Sequence, residues 1–456
     1  MTYIGPKGYT ILKECLPIEE QTFIRKELEV TPFVPKSSPA KPLPFKIYRE
    51  SKSKFYLPRH WGVENFGPPD KIKINSACKI NLNFKGLLRA PQKKSVDAFI
   101  KCAKKNGGGL LELYCGFGKT VCALYIIATL KLKCLIIVHK SFLVDQWKER
   151  IRQFLPNAKI GKIQQKIVDI EGKDIVIGML QSLSMRDYPP RLFKEFGLTI
   201  IDECHHIGAE VFSRALFKIV TTYMLGLSAT MKRKDGMSKI FKMFIGDVVY
   251  SKTKQMNAGV IIQPMYFKSS DEEFEKTELN WRGDVQYSRM IKKLCEFNPR
   301  REYIIDVIKQ ILDPERHIMV IAHNKSILHY LHDAIKDRKI ASVGYYLGGM
   351  KEEELNISKD KKIIIATYAM AQEALDIKTL NTLVMCTPKT DVRQAIGRIL
   401  RSKHNKPLVI DIVDQHEVFR RQWYRRNTFY KSMKYQVINE KKTKEKKLLT
   451  GVCLID

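Results

Sequence analysis

A chain of 456 residues allows two to four domains, and 44% hydrophobic with 28% charged residues excludes wholesale disorder. Its 80 Lys+Arg against 48 Asp+Glu leave a net charge of +32, which says little about fold but favours a polyanionic partner, most simply nucleic acid. Ten cysteines without a C-x-x-C pair argue against a zinc ribbon or disulfide framework, and free thiols point to a reducing intracellular compartment.

Residues 1–6 lack a charged-then-apolar leader, so no secretory signal is expected. Residues 1–80 are rich in Pro, Lys and aromatics; 45–49 and 54–57 alternate in strand fashion behind a proline-marked loop. They read as a small basic β-containing domain without recognisable chemistry. From 81 to 250, short apolar runs alternate with amphipathic stretches. Segments 110–111, 134–138, 175–177, 198–201 and 224–227 read as buried strands, while Leu143, Trp147, Ile151 and Phe154 share one helical face. The apolar run 121–138 is broken by Lys131 and Lys133, so no membrane span is expected.

A second strand series follows at 318–321, 344–347, 363–366, 382–386 and 408–412. The pattern predicts an α/β protein with two parallel-sheet lobes, 81–250 and 297–435, separated by an irregular linker or insert at 251–296. The basic tail from 436 to 456 reads as a solvated terminus.

Chemistry concentrates in three strings. In 113–120, Gly116 and Gly118 let backbone N–H groups wrap phosphate oxygens across Cys115 and Phe117. Lys119 offers a charge to β- and γ-phosphates, Thr120 a hydroxyl to Mg²⁺, and the helix opening there adds its positive end. Asp202 and Glu203 close the apolar run 198–201, at the sheet edge where ligands bind. Asp202 would hold Mg²⁺ through its water shell, and Glu203 would deprotonate an attacking water. The neighbouring Cys204-His205-His206 cannot all face one ion, so they predict no metal site. Gln394, Arg398 and Arg401 recur at i, i+4, i+7 on one helical face, from which arginines of a second lobe can reach a γ-phosphate held by the first. Hydrolysis would then depend on lobe closure. Together these strings describe a two-lobed motor driven by a nucleoside triphosphate.

The set resembles the superfamily 2 helicases of the DExH type over about residues 85–435, which implies two tandem RecA-like lobes using ATP and Mg²⁺. By that resemblance Gln92 reads adenine and Asp376 touches nucleotide. Phe142, Gln181, Ser182 and Thr367 contact the nucleic-acid strand, and His205, Ser228 and Thr230 couple hydrolysis to movement. Leu113, His139, Met231 and Ala374 depart from the usual pattern, yet none of them replaces a charged catalytic group. A narrower similarity, in 231–236, 348–354, 387–392 and 411–435, is to the poxvirus transcript-release DNA helicases and their relatives in large cytoplasmic DNA viruses. It implies 3′-to-5′ DNA unwinding in viral late transcription, with viral transcription machinery as partner and host cytoplasm or virion as location. An RNA-directed DExH motor, a double-strand translocase that does not separate strands, and a nucleic-acid-binding scaffold with a vestigial ATP site stay open. Oligomeric state is not legible.

Overall fold

The computed structural model describes the chain except for residues 33–42, 75–76, 115, 205–208, 231–236, 253–258, 374–376, 378, 401–406 and 439–456. Contacts divide it into two compact units, Met1–Lys254 and Gln255–Asp456.

The first unit is built on an eight-stranded sheet. Its order is Ile167–Asp169, Ile160–Gln164, Ile175–Met179, Cys134–Val138, Leu198–Asp202, Tyr223–Ser228, Gly108–Leu113, Val248–Lys252. All neighbours run parallel except the first pair, which forms a hairpin. The strands Cys134–Val138, Ile175–Met179 and Leu198–Asp202 are buried along their whole length, because helices cover both faces of the sheet. Leu143, Val144, Trp147 and Ile151 form the buried stripe of the helix Ser141–Phe154, as their spacing predicts.

The amino-terminal residues form a five-stranded sheet, ordered Arg49–Glu50, Lys54–Leu57, Gly8–Leu12, Thr2–Gly5, Lys71–Ile72. This sheet does not keep its core to itself. Tyr9, Phe55, Leu57 and Trp61 belong to the same buried cluster as Leu216, Phe217, Met224 and Phe244 of the large sheet's flank. At the seam, the Arg59 guanidinium donates to the carbonyls of Thr221 (3.2 Å) and Thr222 (3.0 Å). It lies so close to Gly107 that an added Cβ there would sit 1.9 Å from it, and burial pushes its pKa down to about 10. Arg59 thus fastens to the chain entering two strands, Gly108–Leu113 and Tyr223–Ser228. The segment that reads as a separate domain is structurally part of the first unit.

The second unit carries a seven-stranded parallel sheet. Its order is Val343–Tyr346, Ile363–Thr367, Ile318–Ala322, Thr382–Met385, Leu408–Asp414, Ile261–Phe267, Gln436–Val437. Two of these strands depart from expectation. Ile261–Phe267, inside the stretch expected to be linker, pairs with Leu408–Asp414 along all seven residues. Gln436–Val437, at the start of the expected tail, adds a short edge. Inside this unit Arg300 is fully buried and paired with Asp414 through Nε (2.5 Å) and Nη2 (2.8 Å). Arg426 binds Asp411 in the same forked way, at 2.7 and 2.8 Å. Both units are helix-covered parallel sheets, the architecture of RecA-like lobes. Among the described residues no helix is long and apolar enough to cross a membrane.

Candidate functional site: the phosphate loop and its carboxylates

The strand Gly108–Leu113 delivers a loop to the carboxyl edge of the first sheet. Gly116 and Gly118 have φ of +89° and +96°, left-handed values that a side chain would strain, and Gly118 caps the helix Lys119–Leu130. Cys115 lies outside the described residues. Phe117 is buried, and its carbonyl accepts from the Gln92 amide at 2.8 Å and from the Arg89 guanidinium. Gln92 also accepts the N–H of Arg89 (2.9 Å), and a Cβ on Gly118 would sit 2.4 Å from its Nε2. Gln92, expected to read adenine, therefore braces the loop in this structure. Arg89 shares that task and escapes sequence reading, since nothing local marks it.

Asp202 ends the strand Leu198–Asp202, two strands over from the loop strand. The next residue, Glu203, turns left-handed with φ +48°, a conformation costing a non-glycine residue about 1 kcal/mol. Its Oε1 accepts from the Lys119 ammonium. Asp202 Oδ2 accepts from the indole N–H of Trp147 at 2.9 Å. Burial raises the proton affinity of Asp202, the Glu203 charge raises it further, and Lys119 opposes both. The edge thus holds two adjacent carboxylates with one ammonium against them. Thr120, half-buried, follows Lys119 at the start of the helix. Carboxylate and hydroxyl oxygens are the hard ligands that Mg²⁺ takes, so the donor set of Asp202 and Thr120 fits the ion.

The other expected residues fall into two groups. Ser228 ends the strand Tyr223–Ser228; its hydroxyl donates to the Thr230 carbonyl (2.5 Å) and accepts the Thr230 N–H (3.2 Å), closing a local turn. Gln181 donates to the His139 carbonyl at 3.1 Å. Ser182 is buried and accepts the Gln165 N–H at 2.8 Å, so its hydroxyl serves the first unit rather than facing outward. Phe142 is half-buried, with the Lys140 ammonium 6.0 Å from its ring centre. In the second unit, Thr367 ends the strand Ile363–Thr367 and accepts the Met370 N–H at 3.4 Å. The helix Arg393–Ile399 carries Gln394, half-buried, and Arg398, buried, but stops before position 401. Arg401, Asp376 and His205 lie outside the described residues.

The family profile described as type III restriction enzyme, res subunit, matches residues 85–233. The chain is 35% identical over 449 residues to a protein of Acanthamoeba polyphaga mimivirus provisionally named ATP-dependent RNA helicase L396, spanning 96% of this chain and 86% of that one. It is 24% identical over 377 residues to the provisionally named helicase 161L of Invertebrate iridescent virus 6, covering 78% of this chain and 84% of that one. A third relative is the DNA 3'-5' translocase XPB2 of Sulfurisphaera tokodaii, 26% identical over 368 residues, with 72% and 81% covered. A phosphate loop facing paired carboxylates, two parallel-sheet units and a near full-length viral relative converge on one conclusion: the chain belongs to the superfamily 2 helicases of large DNA viruses, ATP-dependent proteins that act on nucleic acid.

Proposed function

We propose that the protein is an ATP-driven motor on DNA, moving 3′ to 5′ and separating strands, in the service of viral late transcription inside the infected cell. The observation that carries this reading is the Lys119–Glu203 contact beside Asp202, at the mouth of a glycine-built loop. The N–H groups of residues 116–120 would cradle the phosphates, and Lys119 would leave Glu203 for the β- and γ-oxygens. Glu203, released, would accept the proton of the attacking water. Thr120 and Asp202 would hold Mg²⁺, which when bound neutralises developing phosphate charge. Arg398 and Arg401 would bring guanidinium charge from the second unit to the γ-phosphate, with the neutral Gln394 amide on the same helix face, tying turnover to closure. Phe142, Gln181 and Thr367 would border the path of the strand.

The +32 charge supports a phosphate-backbone grip with little base preference and strong salt dependence. A DNA substrate is favoured by the resemblance to transcript-release helicases and by the name of the archaeal relative. RNA is the second reading, favoured by the name of the mimivirus relative. ATPase rates with matched DNA and RNA oligomers, and strand displacement on 3′- and 5′-overhang duplexes, test the proposal. Stimulation by DNA and displacement from 3′ overhangs are expected. A rate indifferent to both polymers sinks the motor; stimulation by RNA alone sinks the DNA assignment.

A further inference from the structure

Among the described residues of the second unit, the most exposed aromatic is one that the ATP site does not use. Residues 278–286 form a tight turn, bridged antiparallel at Leu279 and Val285. The Asn280 N–H donates to the Asp284 carbonyl and the Gln286 N–H to the Glu278 carbonyl, each at 2.8 Å. Asn280 Oδ1 accepts from the N–H groups of Arg282 (2.8 Å) and Asp284 (2.9 Å), and Gly283 turns the chain at φ +78°. The tip is therefore built rather than loose, and it holds Trp281 at 85% exposure. The Arg282 guanidinium lies over that indole, 4.3 Å from its centre. Leu279 and Val285 are exposed on the same turn.

The turn leads into Tyr287, which packs on an arginine-bearing helix. Tyr287 donates its hydroxyl to the Pro388 carbonyl (3.2 Å) and stacks edge-on to Phe419 (5.9 Å) of the helix Glu417–Ser432. That helix buries Arg426 in its pair with Asp411 but leaves Arg420 and Arg425 exposed, along with Arg421, which pairs with Glu417. An indole held out in water, on a turn whose next residue packs against an arginine-bearing helix, matches the chemistry of an unpaired base followed by its phosphates: stacking for the one, point charges for the other.

We propose that Trp281 and Arg282 form a stacking platform for an unpaired base of a single-stranded polynucleotide, whose phosphates run onto the exposed arginines of the helix Glu417–Ser432. The proposal rests on the nucleic-acid motor reading and adds a contact outside the strand-binding residues assigned above. Base–indole stacking is sequence-tolerant, which suits a motor that must pass over any sequence.

Tryptophan emission tests it directly. Of the four tryptophans, Trp61, Trp147 and Trp423 are buried, so quenching by a stacked base must come from Trp281. Titration of the full chain with oligo(dT) and with oligo(U) is expected to quench part of the emission, more than a blunt duplex does. Trp281→Phe should abolish the quench and keep most of the affinity, since a phenyl ring still stacks. Trp281→Ala should weaken single-strand binding about ten-fold or more, read by anisotropy of a labelled oligomer. The two polymers show whether the platform prefers DNA or RNA. If wild-type ATPase responds to single strands but emission stays unquenched, or Trp281→Ala binds as well as wild type, the platform is wrong and the motor stands. If neither binding nor stimulation occurs, both readings fall.

Discussion

The indole N–H of Trp147 donates to Asp202 Oδ2 across 2.9 Å, linking the helix Ser141–Phe154 to the carboxylate proposed for the metal. Both residues are buried, and after the Lys119 charge this contact is the next largest influence favouring the ionised form of Asp202 against burial and the Glu203 charge. Trp147→Phe keeps the ring and removes the donor. A hydrogen bond to a charged group is worth about 1.5–3 kcal/mol, so the Mg²⁺ concentration giving half-maximal ATPase should rise by about ten- to a hundred-fold. The acid limb of the rate profile should also move to higher pH, because Asp202 then holds its proton more tightly. An unchanged Mg²⁺ titration in a folded variant would refute the role.

Lys119 and Glu203 separate binding from turnover. Lys119→Ala should abolish ATPase and weaken nucleotide binding, since the loop loses its only side-chain charge among the described residues. Glu203→Gln should retain nucleotide binding, read by a fluorescent ATP analogue, while turnover falls at least about a hundred-fold. Turnover within a few-fold of wild type in Glu203→Gln would remove that residue from the chemistry.

Stability should depend on pH through His60. Its ring Nε2 is enclosed, and burial, aided by the Arg59 charge, pushes its pKa from 6.5 down to about 4. The folded chain resists a proton that the unfolded chain accepts, so stability is full above pH 6.5 and lost as the pH falls toward about 4. The loss is on the order of 3 kcal/mol by linkage. Urea unfolding of wild type and His60→Phe across this window should show a flatter profile for the variant.

The Arg300–Asp414 pair predicts a large cost for removing one partner. Arg300→Met leaves Asp414 as a lone buried anion, which typically costs about 3–5 kcal/mol. Adding Asp414→Asn should recover much of that loss in chemical denaturation. A single variant as stable as wild type would mean that the pair contributes nothing.

What could be read from the sequence was local. The central strands of both sheets, such as Cys134–Val138 and Ile318–Ala322, announce themselves as short apolar runs, because they are covered on both faces. The phosphate loop is legible because its two glycines, lysine and threonine are contiguous. Ile261–Phe267 was hidden because Gln263 and Pro264 interrupt its apolar run and its sheet partner, Leu408–Asp414, is distant in the chain. Trp147 and Asp202 are 55 residues apart, so only the fold joins them. Gln394 and Arg398 share the short helix Arg393–Ile399, as their spacing requires.

The amino-terminal sheet and the flank of the large sheet hide one another's oily surface from water. Cutting the chain near residue 80 to obtain a minimal motor would lay bare Leu216, Phe217 and Phe244 together with the cavity that Leu57 and Pro58 help to line. Such a fragment should be sticky and short-lived, however complete its nucleotide loop. The first eighty residues are a foundation that the engine cannot be lifted from.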